Sequence, residues 1–479
     1  MGLTFLGKNA GTANLLLRTL DGMDLPKEWG KGMRAQRGHR TIWAAWMVIW
    51  GLWCFTSSGW AAESAGLEQL EKKLIEGASM SDLFTYAYKT NPLIQSARHA
   101  WKGTIERYRV ETAYPDPEIG LTAYPKPFMT SYEVMVSQMI PFPGKLSRLG
   151  EVAKAEIDTA RLGLDKALRD TLAGIRESYY ELFYIREAKK VVALNRDILE
   201  HIRKVGETAY AQDRAQYFDV VKAQSQAAQL QYDAILLEEL EETEKAQLNS
   251  LLNRPPGSEI RLLEAEPLPS LIYQLEEIYE LARKHREEIR LVESEIHKAR
   301  AKQGVAKYES LPNFKLGASY EKGNPDNAPP EFRDTLGIQI GLTIPLWFNK
   351  NKGRKEEARA EERKALAMKT AQINETHALI RNAYFRLKNS ERLIQLYRDQ
   401  LLPQATRSME IAEMWFREKQ GSFSDFIETE SVFYNFQLSL ARAKADYGRN
   451  LTQLESLSGV SLTQKKENEA GRTPGVVER

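Results

Sequence analysis

The residues that most often do chemistry are thinly spread in this chain. Six histidines stand at His39, His99, His201, His285, His297 and His377, and no two are spaced i, i+4 as a helical zinc pair requires. The one cysteine, Cys54, falls in a stretch expected to be removed, so the mature chain has no thiolate or disulfide chemistry. No G-x-S-x-G, H-E-x-x-H or G-x-x-x-x-G-K-[ST] pattern occurs. Met129, Met135 and Met139 gather near one predicted strand, but thioethers without a second ligand type hold metal poorly, and packing is their simpler use. His377 falls on an apolar helical seam and reads as a packed or hydrogen-bonded histidine. The expectation is no enzyme, no cofactor and no resident metal. A net charge of +2, with both signs widely spread, makes no case for nucleic acid.

Polar and aromatic residues do gather in two short interruptions of long helical patterns. The first, Ala209–Asp219, holds Tyr210, Asp213, Tyr217 and Asp219. The second, Trp415–Asp425, holds Phe416, Gly421, Ser422, Phe423 and Asp425. Ser422 and Asp425 fit an S-x-x-D capping box, and Gly421 suits the end of the preceding helix. Such tips can gate an entrance or touch a partner, and they can also be simple caps.

Two helical hairpins carry these tips. No proline stands between Pro143 and Pro255, and Leu164, Leu168, Leu172, Ile175, Tyr179 and Leu182 recur by threes and fours. Ile373, His377, Ile380, Tyr384, Leu387 and Ile394 repeat the seam. A helix of about 65 residues would be about 100 Å long, more than a compact domain needs.

Ahead of each hairpin lie two alternating segments, near 118–124 and 132–140, then near 314–320 and 336–344. In the last, Leu336, Ile338, Ile340, Leu342 and Ile344 oppose Gly337, Gln339, Gly341 and Thr343. Roughly nine residues suit one pass of a tilted membrane strand, and also an ordinary half-buried sheet. Open edges are not tolerated in lipid, so a membrane reading forces several chains to close one barrel.

The plan is written twice. Leu83–Ile94 pairs with Ile278–Ile289, Pro117–Tyr124 with Asn313–Tyr320, and Leu248–Leu252 with Leu454–Ser458. The expected repeats are 77–254 and 270–460, joined by the proline-bearing linker 255–269 and followed by a polar tail, 461–479, expected to be disordered. Residues 1–62 read as an N-terminal extension and signal peptide: Met33–Arg40 is basic, Thr41–Phe55 is apolar, and cleavage fits after Ala61 or Ala62. Met33 suits a true start; a membrane anchor or a lipidated Cys54 is the alternative.

The order and duplication of these features resemble the TolC family of outer-membrane efflux proteins over most of residues 77–460. The resemblance rests on Asn91–Ile94, the tips ending in Asp219 and Asp425, and two strand-to-helix corners. The corners are Ile140-Pro141-Phe142-Pro143 and Ile344-Pro345-Leu346-Trp347. It implies a mainly α fold with a small β part. Three chains would share a twelve-stranded barrel in the outer membrane and a tunnel of helices in the periplasm. The tips would meet a periplasmic adaptor, linked to an inner-membrane pump of RND type, and the chain would be a passive exit duct. The stretch from Asn91 to Trp101 is similar to the heavy-metal, CzcC-like branch, which implies metal cations as cargo. Multidrug or protein export is the alternative within the class. A periplasmic coiled-coil scaffold or adaptor is the alternative outside it.

Overall fold

The computed structural model describes residues 66–125, 129–212, 216–263, 268–418, 420 and 422–463. The expected signal peptide, its cleavage site, Cys54, Asp213, Gly421 and nearly all of the tail lie outside the described residues.

Both repeats open with the same device. The helix Met80–Thr90 begins in a capping box, with Asp82 N–H on Ser79 Oγ at 3.3 Å and Ser79 N–H on the Asp82 carboxylate at 3.1 Å. Its counterpart, Leu275–His285, has Gln274 N–H on Glu277 at 2.8 Å. The first ends on Asn91 at φ −62°, ψ 124°, and the second on Arg286 at φ −63°, ψ 124°. One extended residue thus redirects the chain into a second helix, Pro92–Thr112 or Glu287–Tyr308. The repeats also close alike. After the helices Tyr217–Leu251 and Phe423–Ser458, Asn253 (φ 57°) and Gly459 (φ 73°) take the left-handed conformation that ends a helix.

Four antiparallel strands lie between these helices in the order β1-β2-β3-β4: Glu118–Ala123, Thr130–Ile140, Asn313–Gly323 and Asp334–Thr343. β3 and β4 run further than their alternation predicts at the end away from the long helices. There Lys322 Nζ and Tyr320 Oη both donate to Asp334, at 2.7 and 2.5 Å, and hold the hairpin together.

The first long helix, Lys145–Ala211, has 67 residues. The corresponding stretch of the second hairpin is interrupted: Phe348–Leu396, a π turn at Tyr397–Leu401, then Leu402–Arg417. Pro403 is the cause. It lacks an N–H and its ring would strike the carbonyl of Asp399, so the wider turn absorbs it.

The described residues form two compact units, and each takes segments from both repeats. One unit comprises residues up to Asn91, Gly174–Pro267 and Asp399–Ala445. Its core holds two apolar clusters, one around Ile185, Leu199, Ile202, Phe423 and Ile427, the other around Leu74, Leu83, Ile175, Leu248 and Leu252. Burying each such side chain contributes roughly 1.5–3 kcal/mol.

The other unit comprises Pro92–Ala173, Leu268–Arg398 and the residues from Asp446 on. It holds the sheet and a core of Ile278, Ile380, Leu387, Leu451 and Leu454. A buried charge network lies in this unit. Arg169 pairs with Glu287 and Glu288, and Arg286 donates to Glu288 at 3.0 Å and to Thr376 at 2.6 Å. Burial works against ionised Glu288, but the Arg169 hydrogen bond and the charges of Arg169 and Arg286 outweigh it and hold the pKa at about 2.

Candidate functional site

Alternation gives the sheet two unlike faces. Ile119 and Leu121 on β1, Val134 and Val136 on β2, Leu316 and Ala318 on β3, and Ile338 and Ile340 on β4 share one face by register. That face is bare: Leu336 is 83% exposed, Ile338 88% and Ile340 78%. The opposite face carries Glu118, Glu133, Met135, Ser137, Met139, Lys315, Ser319 and Gln339, with Gly317, Gly337 and Gly341 between them. Lys315 reaches Glu118 at 3.1 Å across β2. The outer edges of β1 and β4 have no partner strand among the described residues. Met135 and Met139 thus flank Ser137 on the polar face. Among the described residues no group of three or more His, Cys, Asp or Glu side chains is placed to hold a metal ion, and no helix is long and apolar enough to cross a membrane.

The tip residues separate into three roles. In the first tip Tyr210 and Tyr217 are exposed, their rings 5.8 Å apart, beside an equally exposed Phe218. Asp219 belongs to the first turn of Tyr217–Leu251. In the second tip Ser422 and Asp425 make the reciprocal cap: Asp425 N–H donates to Ser422 Oγ at 3.1 Å and Ser422 N–H to Asp425 at 3.3 Å. Phe416 and Phe423, grouped in the sequence with the tip surface, lie inside instead, with rings 5.1 Å apart and Phe423 only 2% exposed. The ring of Phe423 fills the space left by Gly206, where a Cβ would stand 2.5 Å from its Cζ. The second tip is thereby seated on the first hairpin, and Lys222 Nζ adds a hydrogen bond to Ser424 Oγ at 2.7 Å.

The sequence reading passed over Glu430. It is 2% exposed, and its Oε1 accepts no hydrogen bond from the protein. The signal was present, because Phe426, Ile427, Glu430 and Tyr434 share one helical face whose other members are all core residues. Two cross-contacts set its level: Lys222 with Ser424, and Asp233 with Tyr434, whose Oη donates at 2.7 Å. Glu430 falls between them in register, on the stretch where Gln226 Oε1 is also buried without a donor among the described residues.

Burial raises the Glu430 carboxyl from 4.5 to about 7. The folded chain therefore keeps a proton that the unfolded chain releases above about pH 4.5. That contribution to stability is full below pH 4.5 and is lost as the pH rises through 7, about 3 kcal/mol in all. Thermal melts at pH 5 and pH 8 should show this loss, and Glu430→Gln should flatten it. An unchanged slope in the variant would remove Glu430 as its source.

His377 packs as its seam position predicts, its ring 4.5 Å from that of Tyr279. The four corner residues are placed differently in the two repeats. Pro141 is buried, with Pro143 in the turn into the first long helix, whereas Trp347 beside Pro345 is 76% exposed.

Residues 278–460 match the family model described as outer membrane efflux protein. The pyoverdine export outer membrane protein OpmQ of Pseudomonas aeruginosa is 25% identical over 324 residues, 63% of this chain and 64% of that protein. The chain thus spans somewhat under two thirds of that curated relative. The crystal structure of the outer membrane protein VceC of Vibrio cholerae superposes with a TM-score of 0.67 at 17% identity, covering 81% of this chain and 98% of that one. CusC, solved in work on its folding and transmembrane channel formation, gives a TM-score of 0.68 at 12% identity, covering 81% and 93%.

Proposed function

We propose that the chain, whose residues 278–460 match the outer membrane efflux protein model, is such an efflux protein: three copies close a twelve-stranded barrel in the outer membrane and act as the passive exit duct of a tripartite pump. One observation carries this reading: a four-stranded sheet with two edges unpaired among the described residues and one largely exposed apolar face. In water such a face would aggregate, and in lipid such edges would leave backbone groups unsatisfied. Closure by further copies meets both demands. The polar face then lines the lumen, where small side chains leave room for solute and contacts are weak enough for transit. The helical hairpins lead to it from the periplasm, and an inner-membrane pump, RND in type, supplies the energy.

The first tip is the adaptor contact. Tyr210, Tyr217 and Phe218 supply exposed aromatic area of the kind that dominates interfaces. Tyr217→Ala with Phe218→Ala should weaken capture of the adaptor about tenfold or more while the trimer survives, measured by pull-down of the crosslinked complex. Capture at the original strength would move the contact elsewhere. Phe416 and Phe423 act on the entrance through packing, and Ser422 and Asp425 through the cap.

The cargo is an organic small molecule in this reading, which its similarity to the pyoverdine export protein OpmQ supports. The stretch that suggested metal cations is occupied with architecture. Asn91 ends a helix and donates its amide to Leu251 O at 2.8 Å, and Ile94 is buried. Accumulation of dyes and of mono- and divalent metals in a deletion strain tests the point. Build-up of metal alone, reversed by the intact gene, would restore the metal reading.

A further inference from the structure

The repeat makes the two strand-to-helix corners equivalent in sequence, yet they are built differently. At the first, Phe142 stacks on Phe314 with ring centroids 6.4 Å apart and meets Tyr308 edge-on at the same distance. Gly144 (φ 89°) brings the chain against the Tyr308 ring, where a Cβ would approach to 2.9 Å. Arg148 lies over that ring and pairs with Glu151 at 2.8 Å. Phe142, Tyr308 and Arg148 at this corner are thus engaged with their own chain.

The second corner is open. Leu346, Trp347 and Phe348 are exposed, Phe348 at 79%. They continue the bare face of β4 through Leu342 and Ile344. Just beyond them Lys350 and Lys352 are exposed and form no ion pair among the described residues, whereas the neighbouring Arg354 is paired with Glu309 at 3.2 Å. A rise of 1.5 Å per residue sets the two lysines about 3 and 6 Å beyond Phe348 along the helix. An interfacial layer is about 5–8 Å deep, so the aromatic pair and the lysines span one headgroup layer.

We propose that this second corner is a seat for anionic phospholipid, with Trp347 and Phe348 at the acyl boundary and Lys350 and Lys352 on the headgroup phosphates. The proposal rests on the barrel reading above. Charge and continuity support lipid as the occupant: the aromatic pair extends the lipid-facing surface, and the free charges next to it are positive. The first corner, turned in on its own Tyr308 and Glu151, takes no such part.

The test uses the full chain reconstituted in vesicles of phosphatidylethanolamine with phosphatidylglycerol, some lipids carrying bromine near the headgroup or at the chain end. Headgroup-proximal bromine should quench a tryptophan signal that disappears in Trp347→Phe. Native mass spectrometry should show retained phosphatidylglycerol falling about fivefold for each lysine removed in Lys350→Gln and Lys352→Gln. Equal shallow quenching in Trp347→Phe, with the protein inserted, would place a neighbouring copy over the corner and overturn the proposal. Unchanged phosphatidylglycerol retention in the double lysine variant would overturn it too. A chain that never inserts would sink the barrel reading with it; insertion without these signatures would sink the lipid seat alone.

Discussion

Replacing Ile340 by lysine should abolish assembly in the outer membrane. Ile340 stands mid-strand on β4, 78% exposed in the single chain, between Ile338 and Leu342 on the bare face. A lysine near the middle of a barrel's lipid face costs about 2–4 kcal/mol. Three copies in one barrel would multiply that to about 6–12 kcal/mol, comparable to the whole stability of a folded domain. The measurement is the detergent-extractable trimer in the outer-membrane fraction, with Gln339→Lys as the matched control. Gln339 is the adjacent residue on the opposite, polar face, so its lysine should be accepted. Normal assembly of Ile340→Lys would show that this face meets water or protein, and a scaffold would replace the duct.

Phe423→Ala should release the second tip from the first hairpin. The ring is fully buried and fills the gap above Gly206, so its loss combines transfer energy with a cavity, about 3–5 kcal/mol. Gly206→Ala attacks the same contact from the other side. Its new methyl would lie 2.5 Å from the ring, and one of the two must move, at about 1–3 kcal/mol. Hydrogen exchange should rise around 416–430 in both variants. Phe423→Leu should partly rescue Gly206→Ala, because a smaller side chain makes room, and strict additivity would argue that the two positions are not coupled.

Much of the fold was legible because its causes are local. Alternation at Leu336–Ile344 and a three-four spacing at Leu164–Leu182 each suffice to specify an element. Ser422 and Asp425 announced their cap because both partners lie within one turn. The left-handed closure at Gly459 is equally local, and its match with Asn253 adds to the duplication that the backbone shows at Asn91 and Arg286. Pro403 was visible in the sequence but unread there, and whether a proline kinks, breaks or widens a helix depends on what packs around it.

Composition and spacing determined the elements, the duplication, the absence of the common catalytic motifs and the two faces of the strands. Tertiary structure decided which residues those elements show. It hid Phe416 and Phe423 while leaving Tyr210 and Tyr217 outside, although both pairs sit at helical tips of similar composition. It buried Glu430 without a donor, closed one corner over Tyr308 and left its repeat open at Trp347. The reason is physical: hydrogen bonds and periodicity are settled within a few residues, whereas exposure is settled by whatever a distant segment places opposite. Gly206 and Phe423 are far apart along the chain, and only folding brings the gap and the ring together.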